Sequence, residues 1–220
     1  MFKASIERIK KMKNSSRPQM SEPDQRDIIG YSIADEDERK EWNALIRFIA
    51  DWIEENDLSN AIVFHGTSSG RAEDIMQNGM NPTDATFATN DADSEGSFWG
   101  DVYTAAAYAE DTVQERDGDG RPVLLMAYTD DLEELCELAP DLATMDFPLK
   151  GLTRLSDDDV MQKWLAHHTT LSWRDSLTDL GAIVALHEFE LDPNCMQRIT
   201  SRNDFENAVR GLEAASSFGR

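Results

Sequence analysis

Cysteine is nearly absent from the chain: Cys136 and Cys195 are the only two, and they lack the close spacing of a redox or zinc motif. Neither a disulfide framework nor a thiolate metal site is indicated, so two buried, reduced thiols are the expectation. Long apolar runs are also missing. The longest, at 61–64, 123–127 and 182–186, fall far short of the roughly 20 residues that a membrane-crossing helix needs, so no membrane insertion is expected. The opening MFKASIERIKK scatters charge where a secretory signal would place an apolar core, which leaves cytoplasmic residence, in the producing cell or a recipient host, as the expectation.

Positive charge is scarce: 21 Lys and Arg face 43 Asp and Glu, for a net charge of −22. Residues 1–20 run against this, with six basic side chains (Lys3, Arg8, Lys10, Lys11, Lys13, Arg17) and one acid, Glu7, a local +5. The other 200 residues carry 15 basic side chains against 42 acids, or −27. Such a field favours solubility and repels nucleic acid and anionic membranes, which penalises a nucleic-acid partner. The acids are spread along the chain rather than concentrated in one stretch, which argues against a nucleic-acid mimic.

What is present is enough for one domain with a sizeable core: 220 residues, 40% hydrophobic and 8% aromatic. Residues 1–34 read as a basic arm and linker, and residues 35–220 as the domain. Phe2, Ile6, Ile9 and Met12 recur at helical spacing among basic residues, a pattern that fits an amphipathic helix and a frayed arm equally. Residues 14–40 are rich in Ser, Pro, Asp and Glu and read as a linker.

Trp42, Leu45, Ile46, Ile49, Trp52 and Ile53 then mark one face of a helix. AIVFHGT predicts a buried strand ending at His65, Ser68 or Ser69 caps the next helix (Ala72, Ile75, Met76), and Gly79 stops it. A second strand is expected at ATFATND (85–91), then a Gly-rich loop, EGSFWGD, and a small-residue helix with Val102, Ala105, Ala106 and Ala109 inward. RPVLLMAYTD predicts a third strand leading into an acidic helix from Leu132 to Leu138. Beyond Pro140 the pattern is harder to read, with one helix expected around 158–168. A long strand, AIVALHEFEL (182–191), and a terminal helix from Asn203 to Ala215 complete the domain. His167, His168 and His187 have no partner motif, so no metal is assigned.

The string VFHGTSSGRAEDIMQNGM, followed by a Phe-x-Thr segment, an Ala-x-x-Tyr-Ala helix and a hydrophobic third strand, resembles the His-Tyr-Glu branch of the ADP-ribosyltransferase superfamily over about residues 60–200. Bacterial toxins and effectors and phage-encoded modifiers are the kind of member it looks like. The resemblance implies an α+β fold of split mixed and antiparallel β-sheets flanked by helices, here with a helical N-terminal extension. It also implies NAD as co-substrate and mono-ADP-ribosyl transfer to a macromolecule, with a protein acceptor favoured over nucleic acid.

The chemistry passes through an oxocarbenium-like state, so nicotinamide must be held bent and negative charge placed beside the ribose. By resemblance, His65 would bond a ribose hydroxyl, the Gly66 backbone would clamp the nicotinamide amide, and Thr67 would assist. A glycine suits that second position because close backbone approach leaves no room for a side chain. The aromatic that faces nicotinamide is either Tyr103, from the GDVY string, or Phe87 beside Thr86 on the expected strand, with Trp99 and Tyr103 then in a lid.

The family glutamate would fall near Ala182, where there is no carboxylate. Glu188 and Glu190 alternate and so share a face of the expected last strand, like the Glu-x-Glu of the Arg-Ser-Glu branch. Carried over, Glu190 would be catalytic and Glu188 would face the target; equally, both could be solvent-facing acids of an acidic protein. An RNA 2′-phosphotransferase-like enzyme shares the His-Gly-Thr opening, but its grip on RNA phosphate is opposed by the acidic body. A transferase-derived binding module without catalysis is a further reading.

Overall fold

A computed structural model describes residues 33, 35–85, 89, 94–117, 120–141 and 172–218. The amphipathic segment at 1–13, most of the linker, Thr86, Phe87, and the helix expected at 158–168 with His167 and His168 lie outside them. In chain order the elements are α1 (Glu36–Glu55), β1 (Ile62–Ser68), α2 (Ser69–Asn78), β2 (Thr83–Asp84), β3 (Glu95–Gly100), α3 (Val102–Asp111), β4 (Pro122–Tyr128), α4 (Thr129–Leu135), β5 (Glu137–Pro140), α5 (Trp173–Leu180), β6 (Ala182–Leu186), β7 (Met196–Ile199) and α6 (Arg202–Phe218). A π-helical turn (Thr112–Asp117) continues α3, and a 3-10 turn (Pro193–Cys195) precedes β7.

The α+β class is borne out. Among the described residues seven strands form one antiparallel sheet in the order β5-β6-β3-β1-β4-β7, with the short β2 paired to β3. Among the described residues no helix is long and apolar enough to cross a membrane.

Alternation along β1 separates two layers. Ile62 and Phe64 join Trp42, Leu45, Ile46 and Ile49 of α1, the alanines of α3, and Phe205 of α6 in one apolar cluster. Val63 joins Ala72 of α2, Trp99 of β3 and Leu177 of α5 in another. The helical periodicity of α1 is thus a core-facing stripe, with Trp52 half-buried at its edge. Asp35 caps α1 by accepting from the N–H groups of Asp37 and Glu38, and the buried Trp42 indole donates to Glu110 Oε1 at 3.0 Å. Gly79 follows α2, which Ser68 caps, as expected.

Several expectations need correction. β1 does not end at His65 but runs through Ser68, because all seven of its residues pair with β4. Of the strand expected at 85–91 only Ala85 and Thr89 are among the described residues, and there the Thr89 N–H bonds Ala85 O. The strand here is the Gly-rich EGSFWG. Its glycines suit a crowded strand, since a Cβ at Gly96 would stand 2.3 Å from Ala185 O and one at Gly100 2.4 Å from Gly181 O.

The acidic helix α4 closes early, where the Cys136 N–H bonds Leu132 O, and residues 137–140 form an edge strand on β6 instead. LSWRDSLTDLG contains α5, opened by a capping box between Ser172 and Asp175. β6 stops at Leu186, the residue at which the pairings of both neighbours, β5 and β3, also end. The strand β7, not expected, pairs with β4. Both cysteines are free and half-buried rather than fully buried.

Candidate functional site

β1 and β3 are joined in register at a single position, Phe64 with Gly100, whereas β1 pairs with β4 along seven residues and β3 with β6 along five. From His65 onward no further registered pair joins the two strands, so the ladder between them splits there. The His65 side chain bridges the opening: its Nδ1 lies 2.8 Å from the Phe98 carbonyl of β3. A carbonyl only accepts, so Nδ1–H is the donor and Nε2 carries the ring's lone pair. Burial pushes the His65 pKa below its ordinary value, outweighing the Phe98 bond, so the ring is neutral at pH 7. A neutral imidazole with a fixed tautomer is an acceptor at Nε2, the role suited to holding a hydroxyl group.

His65 alternates with Phe64 and so faces the layer that contains Trp99. The two rings are 5.7 Å apart and tilted by 56°. Trp99 is 2% exposed, which makes it a wall of the site rather than part of a lid. Thr67 shares this face and is buried. Tyr103 does not join them: it lies on α3 and packs against the apolar cluster on the opposite side of the sheet.

Gly66 has a reason that its motif did not suggest. A Cβ there would stand 1.7 Å from Ala105 O and 2.7 Å from Ala109 N, so the space beside its Cα is taken by the α3 backbone. The run of small residues in α3 and the glycine of β1 are two halves of one close helix-on-strand contact.

A second polar chain leaves the site. Trp99 Nε1 donates to Ser97 Oγ at 2.9 Å, Ser97 Oγ lies 3.0 Å from His187 Nε2, and His187 Nδ1 lies 2.7 Å from Phe189 O. Because the Phe189 carbonyl accepts from Nδ1–H, Nε2 accepts the Ser97 hydroxyl proton. Burial holds the His187 pKa below its ordinary value. The sequence carried no sign of this chain, since it links residues 90 positions apart.

His187 also accounts for the largest change to the expected site. Its ring draws in the carbonyl two residues ahead, and residues 188–190 form an exposed bend rather than a continued strand. Glu188 and Glu190 therefore do not alternate on one strand face. Glu190 lies beside Gly79, where the Met80 and Leu191 backbones bond each other. Leu186 already sits three residues past Ile183, the β6 residue level with His65, or about 10 Å along the strand. Neither glutamate is brought against His65, but both stand at the end of the sheet toward which the β1/β3 split opens.

Ala182, where the resemblance asks for a carboxylate, is buried at the start of β6 and pairs with Gly100. The carboxylate found nearby is that of Asp101, whose Oδ2 would be 2.6 Å from a Cβ at Gly181. It caps α3 by accepting from the Thr104 N–H at 2.7 Å, and burial raises its pKa. Sequence reasoning had passed over it. Compared with protein-family models, curated proteins and solved structures, the chain finds no match.

Proposed function

We propose that the chain is a mono-ADP-ribosyltransferase that moves ADP-ribose from NAD to a macromolecular acceptor, with protein the favoured class. The observation that carries the reading is His65, a neutral ring held across the split between β1 and β3 with Nε2 as its acceptor face. In this reading Nε2 takes a ribose hydroxyl, the Gly66 and Thr67 segment lines the nicotinamide subsite, and Trp99 is the aromatic wall. The C1′–N bond breaks with its electron pair leaving on nicotinamide, and an acceptor lone pair takes C1′ as the acceptor loses a proton to solvent. Glu190, or Glu188 beside it, would supply the negative charge for the oxocarbenium-like state, which requires the bend to close on the split when NAD binds.

A second reading, a transferase-fold binding module without catalysis, is favoured by one observation. The expected glutamate position holds a buried alanine, and the candidate acids stand away from His65. An RNA 2′-phosphotransferase-like enzyme is the third reading, opposed by the −27 of residues 21–220.

Labelled NAD incubated with lysate and purified protein separates the three. Transfer with nicotinamide release, lost in His65→Ala and Glu190→Ala variants that retain the wild-type melting temperature, is the expected result. Absence of both transfer and release from the wild type would sink the enzyme reading. Loss in Glu188→Ala but not Glu190→Ala would exchange their roles, and turnover of a 2′-phosphorylated RNA would select the third reading.

A further inference from the structure

An open groove of about 770 Å³ lies at the end of the sheet where β3 begins and β6 ends. Five carboxylates line it (Glu95, Glu137, Glu188, Glu190, Asp192), with no Lys or Arg among its lining residues. The two exposed large hydrophobic residues recorded among the described residues, Leu135 at 51% and Phe189 at 78%, line the same groove. Acids with exposed apolar groups among them ask for an occupant that is basic and apolar together.

One segment of this chain has that composition. Residues 1–13 interleave Phe2, Ile6, Ile9 and Met12 with Lys3, Arg8, Lys10, Lys11 and Lys13, whereas residues 21–220 carry −27. The attachment point is on the correct side. α1 begins at Glu36, and its Glu38 pairs with Arg121, the residue just before β4. Pro122 at the start of β4 is opposite Ser68, at the same end of the sheet as Glu95, Glu137 and Leu186. From β4 to β6 is three strand spacings, on the order of 15 Å before allowing for the split. The 21 residues from 14 to 34 span up to about 70 Å when extended, several times that distance.

We infer that residues 1–13 dock in cis into this groove, with the apolar face against Leu135 and Phe189 and the lysines over the five carboxylates. The inference rests on charge, exposure and topology and does not depend on ADP-ribosyl transfer.

Zero-length carbodiimide cross-linking of the full chain tests it, with an equal mixture of ¹⁴N and ¹⁵N protein to separate links within one chain from links between chains. Links within one chain from Lys3, Lys10, Lys11 or Lys13 to Glu137, Glu188, Glu190 or Asp192 are expected. They should disappear at about 1 M salt, where the screening length is about 3 Å. Phe189→Ser, at an exposed position that leaves the charge unchanged, should also weaken them. Links from these lysines mainly to acids outside the groove, mixed-isotope links, or an undiminished yield in Phe189→Ser would each overturn the inference.

Discussion

Gly66→Ala tests the most crowded glycine position among the described residues. The added methyl group would stand 1.7 Å from Ala105 O and 2.7 Å from Ala109 N, both backbone atoms, so no side chain can swing aside to admit it. Restoring ordinary contact requires α3 to retreat by about 1.5 Å or more. Val102, Ala105, Ala106 and Ala109 are all buried in the cluster that α3 shares with α1 and β1, so the retreat opens gaps along the whole seam. Overpacking usually costs about 1–3 kcal/mol, and rigid backbone on the receiving side places this case near or above 3 kcal/mol. For a chain of this size that lowers the melting temperature by roughly 6–12 °C.

Gly70→Ala is the internal control. Nothing lies within 4 Å of a Cβ there, and the residue is in the first turn of α2, so the change should be neutral or stabilise by up to about 1 kcal/mol. Thermal and urea unfolding of the two variants measures the contrast. A Gly66→Ala protein that melts within about 2 °C of wild type would refute the seating of α3 on β1.

Two further outcomes follow from the titrating groups. Burial lowers the pKa of both His65 and His187 below 6.5, so in acid the unfolded chain binds protons before the folded one does. Their contribution to stability is complete above about pH 6.5 and is lost as the pH falls through the folded values. The melting temperature should therefore drop between pH 7 and 5.5, and a His65→Gln/His187→Gln variant should show a flatter profile; identical slopes would count against buried neutral rings. The thiols of Cys136 and Cys195 are both pushed up to about 11, chiefly by burial. At pH 8 an aromatic disulfide reagent should modify the native chain roughly 10²-fold more slowly than the denatured one, and equal rates would refute the assignment.

The elements legible in the sequence were those whose signal is local. The stripe of α1 and the run of β1 follow from side-chain spacing. The cap at Ser68 and the stop at Gly79 follow from the bonds and backbone angles that those residue types favour. The unbroken apolar runs of β4 and β6 were legible as buried strands for the same reason. EGSFWG was not legible, because a strand with two glycines has no local β signal. It is a strand because it pairs with β6 along five residues, in surroundings where a Cβ at Gly96 would meet Ala185 O and one at Gly100 would meet Gly181 O.

The candidate site divides along the same line. The sequence by itself singled out His65, Gly66 and Thr67 and placed His65 at the end of a strand. The tertiary structure alone decided what surrounds them. It set Trp99 against His65 and Tyr103 on the far side of the sheet, and gave the space beside Gly66 to α3. It also ended β6 at Leu186, where its neighbours end, so that the His187 ring could turn Glu188 and Glu190 into a bend. Spacing along the chain predicts which residues share a face only while a strand continues. Where a strand ends depends on partners far away in the sequence.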